Sequence, residues 1–164
     1  MWSSEPSKIP RRAALIGLAA LAGCGFTPVY GPGSTASQLR EQVRISAPAT
    51  AEGYRLLQAL RDRLGRASSP TYDLTVTLDF TQIAAATTAA GSTTRYNLPG
   101  SANYVLTDRN GAVLAQGAVD SFTSYSATGT TVATSAAETD ARDRLAIQLA
   151  ELIIVQLSVI DLTP

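Results

Sequence analysis

From Thr71 to Phe80 every even position is apolar (Tyr72, Leu74, Val76, Leu78, Phe80) and every odd one is Thr or Asp. Successive side chains on a strand point to opposite faces, so a period of two over ten residues specifies a strand with one buried and one wet face. A sheet solvated on one side is the habit of antiparallel or mixed sheets, whereas buried parallel strands are apolar throughout. Whatever covers the buried face must therefore come from elsewhere in the chain.

Two segments have the periodicity to cover it. Thr50 is placed to cap a helix running to Leu64, with Glu52 in its first turn, Gly65 just past its end, and Leu56, Leu57, Leu60 and Leu64 on one face. Near the end of the chain Ser135-Ala136-Ala137-Glu138 has the form of a capping box, opening a helix whose inner face is Ala141, Leu145, Leu149, Leu152 and Ile153. From Leu152 to Val155 this helix is apolar nearly all round, which leaves two coverings open, the domain's own sheet or a partner.

The remaining strands are read from alternation and turn chemistry. Val43 and Ile45 alternate with polar neighbours in a short first strand closed by Pro48. After an Ala/Thr/Gly stretch (84–94), Tyr96, Leu98, Ala102, Tyr104 and Leu106 point inward, with Pro99-Gly100 suggesting a bulge or a sheet edge. Asp108-Arg109-Asn110-Gly111 supplies a tight hairpin, and a further strand follows through Val113, Ala115 and Val119 towards Phe122. Residues 121–134, almost all Ser, Thr, Ala, Gly and Tyr, read as a mobile or strand-extending segment. The order is β-α-β-β-β-α, an α+β fold with two helices on one face of a four-stranded mixed sheet.

Upstream of this domain lies a segment of another kind. Lys8, Arg11 and Arg12 precede an apolar run, Ala13 to Ala22, that is too short to span a bilayer, and Leu21-Ala22-Gly23-Cys24 follows. Residues 1–23 read as a cleaved signal peptide and Cys24 as the lipid-attachment residue, carrying a diacylglycerol and an N-acyl chain such as palmitate. Several acyl chains on one residue make a stable anchor where a single chain does not. Gly25 in place of Asp favours sorting to the outer membrane. Arg11-Arg12 raises twin-arginine export beside the general route, which the residues after the pair match poorly. Residues 24–41, with Pro28, Gly31, Pro32 and Gly33, read as a tether, and residues 42–160 as one domain.

Composition removes several function classes. There is no His and one Cys, so a His general base, a Cys-His nucleophile or a His/Cys metal site cannot be built from this chain. Without the leader the chain is slightly acidic, which leaves no basic field for a nucleic-acid backbone. The best case for an enzyme is a carboxylate pair, Asp73 and Asp79, but six residues along a strand is about 20 Å. Glycosidase-type cooperation needs far less, so neither catalytic residues nor a cofactor or metal are expected.

Two stretches resemble a known family. Cys24-Gly25-Phe26-Thr27-Pro28-Val29-Tyr30-Gly31 is similar to the mature start of outer-membrane lipopolysaccharide-assembly lipoproteins of the LptE family. Ser124-Tyr125 through Ala133 to Glu138, Asp140-Ala141 and Arg144 resembles that family's approach to its last helix. The element order matches as well. The resemblance implies a lipid-anchored protein of the outer membrane that plugs the β-barrel translocon LptD, helps it assemble, and assists lipopolysaccharide into the outer leaflet. Phosphorylated lipopolysaccharide implies arginine contacts. Arg95, opening a strand, and Arg109, in the hairpin turn, are the candidates by placement, beside the plainer reading of each as a solvated arginine. The alternative function is an auxiliary lipoprotein of an ABC/MCE-type lipid-transport system.

Overall fold

The computed structural model describes residues 38–160 and 162. Cys24, the leader and most of the proposed tether lie outside the described residues. The elements are β1 (Val43–Ser46), α1 (Ala51–Leu64), β2 (Tyr72–Phe80), β3 (Ile83–Thr87), β4 (Thr93–Asp108), β5 (Val113–Ser126) and α2 (Thr131–Ser158). This is the expected α+β fold, with five strands in place of four.

β4 is the organising strand. Most of its length pairs antiparallel with β5, from Arg95↔Ser126 to Thr107↔Val113. Along its other side lie two strands end to end: β2 from Tyr72↔Asp108 to Phe80↔Gly100, then β3 from Ile83↔Asn97 to Thr87↔Thr93. β1 completes the sheet parallel to β2, the one parallel pair, reached through α1.

The bulge or edge expected at Pro99-Gly100 is not there; Pro99 sits in the central strand with its register unbroken. A residue's N–H and C=O leave a strand on the same side, and the Pro99 carbonyl accepts from Thr81 N–H at 3.0 Å. The missing N–H therefore falls in the gap where β2 ends and β3 begins, where no ladder bond is lost.

The stretch 84–94, read as an intervening loop, contributes β3 and its turn. β3 (Ile83-Ala84-Ala85-Ala86-Thr87) is exposed at every position and carries two register shifts. Nothing in it alternates, so only pairing with β4 makes it a strand. The Asp108–Gly111 turn also differs in detail from a tight Asn-Gly reversal. Gly111 N–H bonds Asp108 O at 3.1 Å, and Gly111 alone in the turn has positive φ, +83°. That is a type I turn followed by a left-handed glycine, with a register shift between Leu106 and Thr107. The Asp108 carboxylate locks it, accepting from Asn110 N–H and Ala112 N–H at 2.8 Å each.

α1 is as expected: the Thr50 hydroxyl accepts from Gly53 N–H at 3.1 Å, and Leu56, Leu60 and Leu64 are buried. α2 begins earlier than the Ser135 box. Thr130 is the cap, its hydroxyl accepting from Ala133 N–H, because nothing from Thr131 to Thr134 stops the helix from extending back towards Gly129. Glu138, freed from capping, pairs with Arg142 at 3.0 Å. Residues 121–134 thus divide between the end of β5, a short loop and the first turn of α2.

The core lies between the inner sheet face and both helices. Leu145, Leu149, Ile153, Ile154 and Leu157 of α2 meet Leu56, Leu60 and Leu64 of α1 and Leu74, Leu98, Ala102 and Leu106 of the sheet. Leu152, expected inward, is 38% exposed, and Ile154 is buried instead. Contact with α1 along one flank rotates the buried stripe of α2 away from Leu152. Leu39, from the segment read as tether, is fully buried in the same core.

Ion pairs join the helices across their outer surface: Arg55–Asp143 and Arg63–Glu151 at 2.8 Å, and Arg142 bridging Glu138 and Glu52. Glu52 is held below its ordinary pKa of 4.5, first by its own backbone N–H in the first turn and then by Thr50 and Arg142, against the opposing pull of burial. A carboxylate with a depressed folded pKa stabilises above its unfolded value and loses that contribution as pH falls. Glu52→Gln is therefore expected to lower stability by under about 1 kcal/mol at pH 7. At pH 3 the difference shrinks towards zero, as read from urea midpoints at both values.

Candidate interaction surface

With the helices on one side, the other face of the sheet is open. Register places its side chains in rows across the strands: Arg44 and Asp73 beside Thr107, Thr75 and Val105 beside Gln116, Thr77 and Asn103 beside Ala118, Asp79 and Ser101 beside Asp120, and Pro99 beside Phe122. The face is largely hydroxyls, amides and carboxylates. Phe122 interrupts it, 71% exposed.

Asp79 and Asp120 flank Ser101 over a shallow depression of about 220 Å³ that Thr81, Pro99 and Ser121 also line. They stand two strand spacings apart, roughly 10 Å. Asp120 was missed by the strand-wise search for carboxylate pairs, yet counting back from the Asp108–Gly111 turn would have set it across from Ser101. Among the described residues no group of three or more His, Cys, Asp and Glu is placed to hold a metal ion.

The two arginine candidates are not brought together. Arg95 is near the start of β4 and donates to Ser124 Oγ at 3.3 Å on the open face. Arg109, at the far end, donates Nε–H to Pro70 O at 3.0 Å and reaches Thr71 Oγ1 at 3.4 Å. Fourteen residues of strand separate them, roughly 45 Å, so no single phosphate or disaccharide headgroup could bridge both. Arg109 has a visible structural task, tying the β4–β5 turn to the loop before β2. Asp108 in the same turn is held below the usual carboxylate range, first by Ala112 N–H. Cys24 lies outside the described residues.

The end of the sheet remote from that turn is covered only by the start of α2. There Tyr96 and Tyr125 stack with ring centroids 5.3 Å apart on the inner face. Burial raises the Tyr125 phenol, and Glu138 adds to it. At this end β3 is exposed at every position, Ile83 included, and Phe122, opposite Pro99 on the open face, is exposed as well.

A two-layer α+β domain with one face of its sheet left open, and with no helix among the described residues long and apolar enough to cross a membrane, defines a small binding domain of the kind found in bacterial envelope lipoproteins. The family model for LptE, lipopolysaccharide-assembly, matches residues 40–157, and the chain belongs to that family. It is a lipopolysaccharide-assembly lipoprotein. Among solved structures it is similar to a Caulobacter crescentus CB15 protein described as a lipoprotein (26% identity, TM-score 0.62, covering 76% of this chain and 92% of that one). It shares its fold with rare lipoprotein B from Shewanella oneidensis (14%, TM-score 0.54, 70% and 91%) and lipoprotein B from Nitrosomonas europaea (16%, TM-score 0.56, 82% and 90%). No curated protein matches it by sequence.

Proposed function

We propose that this protein is anchored through acylated Cys24 to the periplasmic side of the outer membrane. There it occupies the lumen of the LptD barrel, supports that barrel's assembly and assists lipopolysaccharide into the outer leaflet. The observation that carries the reading is the open sheet face: rows of Thr, Ser, Asn, Asp and Gln beside a helix-covered core suit the hydrated interior of a large barrel. Membership of a lipopolysaccharide-assembly family supports the same partner class. The proposed role is binding, without a catalytic step, and with the lipid on Cys24 as its one attached group. Arg95, exposed at the uncovered end of the sheet, remains the candidate for lipopolysaccharide phosphate. Arg109 is the weaker one, because two of its N–H groups hold Pro70 O and Thr71 Oγ1 and tie the turn to the loop before β2.

Depletion of the protein in its own envelope is the test. The reading predicts that lipopolysaccharide at the cell surface falls several-fold and is restored by the wild-type chain but not by Cys24→Ser, which also loses fatty-acid labelling. Unchanged surface lipopolysaccharide on depletion would contradict it. If an ABC/MCE-type lipid-transport system were the true partner, glycerophospholipid distribution would change instead.

A further inference from the structure

Two clefts meet at the corner of the domain where α1 ends. One, of about 370 Å³, lies between the end of α1 and β1 and is lined among others by Arg44, Arg61, Arg66, Ala67 and Pro70. The other, of about 410 Å³, follows the exposed flank of α1 past Tyr54, Leu57 and Asp62. Arg61 and Arg66 line both. Among the described residues neither guanidinium makes an ion pair or a hydrogen bond, whereas Arg55, Arg63, Arg142 and Arg144 each hold a carboxylate. Arg44 is loosely held, 3.6 Å from Asp73.

A cation in the last turn of a helix is ordinarily set against the helix dipole, and that accounts for Arg61. It does not account for Arg66, which follows Gly65 beyond the end of α1. The N–H groups of Arg66, Ala67, Ser68 and Ser69 meet no acceptor among the described residues, and the first two of these residues line the β1-side cleft. Two arginine forks and uncommitted backbone donors at one cleft are the donor set of a phosphate site. Asp62 lines the other cleft and not this one, so the β1 side is the more cationic of the two.

The same corner is where the chain arrives from Cys24. Leu39 is fully buried and Glu41 N–H donates to Leu64 O, which fixes the root of that segment beside the end of α1. With the rest of the domain in a barrel lumen, this corner is the end left at the periplasmic mouth, beside the leaflet that holds the lipid. Tyr54, 67% exposed and two turns before Arg61, suits the headgroup level of such a leaflet.

We propose that Arg61 and Arg66, with Arg44 beside them, hold the phosphodiester of an anionic glycerophospholipid from the leaflet in which Cys24 is anchored. The inference rests on that anchoring. A weak contact suffices, because the tether makes it intramolecular, and it sets which corner of the domain faces the membrane.

The test uses the acylated full chain reconstituted into vesicles, with a donor fluorophore on Asn110→Cys in the turn at the same end of the sheet. Acylation blocks the Cys24 thiol, so the introduced one alone is labelled. Energy transfer to a headgroup-labelled lipid is compared between vesicles of phosphatidylcholine and vesicles that also contain phosphatidylglycerol. Transfer is expected to rise several-fold with phosphatidylglycerol, and to stay at the phosphatidylcholine value when Arg61→Gln and Arg66→Gln are combined. Arg55→Gln with Arg144→Gln, an equal loss of charge from the ion-paired surface, is expected to keep the rise. Transfer indifferent to phosphatidylglycerol, equal loss in the Arg55/Arg144 variant, or abolition of the rise by added lipopolysaccharide or inorganic phosphate would each overturn the proposal. A chain that floats with neither kind of vesicle would instead overturn the anchored reading, and this inference with it.

Discussion

Gly53→Ala is expected to destabilise the domain by about 3 kcal/mol, although alanine is the better helix former by about 1 kcal/mol. Gly53 is buried in the first turn of α1, and a Cβ there would come within 2.0 Å of the Pro48 carbonyl oxygen and 2.9 Å of its carbon. Both atoms belong to the backbone that leads from β1 into the helix. No rotamer change relieves the clash; either the Pro48 peptide or the whole first turn must move, and with it the Thr50 cap bond to Gly53 N–H. Urea unfolding of the soluble domain measures it. A midpoint at or above wild type would mean that the β1–α1 connection is far looser than its packing indicates.

Leu145→Ala is expected to cost about 3–4 kcal/mol, the range for a buried leucine whose surroundings do not collapse. Leu145 is fully buried where α2 crosses the sheet, and it presses on Gly100: a Cβ at that glycine would lie 2.8 Å from Leu145 Cδ2 and 2.7 Å from Phe80 Cδ1. The absent side chain of Gly100 is thus what allows α2 to sit down on the central strand. Coupling follows. Gly100→Ala alone is expected to destabilise by about 1–3 kcal/mol through overpacking. In the Leu145→Ala background its cost should fall by at least about 1 kcal/mol, since the added methyl enters the vacated space. Additive costs in the double-mutant cycle would show that the two residues do not share that volume.

Much of this architecture can be read from residue periodicity, and the places where it cannot have physical causes. The alternation of Tyr72 to Phe80 and of Tyr96 to Leu106 is imposed by one buried face, so it survives translation into structure almost residue by residue. β3 is invisible because Ala84-Ala85-Ala86 has neither alternation nor strand propensity. It forms because β4 is 16 residues long and β2 only nine, leaving a stretch of β4 unpaired. Pro99 misleads for a related reason: its cost depends on whether a partner needs its N–H, and the partner changes there. Leu152 and Ile154 exchange places because periodicity alone does not reveal which flank of α2 the other helix occupies.

The candidate surface was less legible than the fold. That the sheet keeps one polar face is evident from the odd positions of β2, but which polar residues become neighbours depends on register set at a distant turn, and so Asp120 escaped notice. Arg109 illustrates the converse. Its position in a turn suggested availability to a ligand, whereas its Nε–H is given to the Pro70 carbonyl of a different loop, which orients the side chain toward the domain.

The central claim is that this lipopolysaccharide-assembly lipoprotein works inside an outer-membrane barrel. The most direct measurement is to tag the C-terminus of the full chain, solubilise outer membranes gently and identify what co-purifies. The expected result is stoichiometric recovery of one very large β-barrel protein of the LptD kind. Recovery of inner-membrane transporter components, or of the tagged lipoprotein without any barrel, would contradict it.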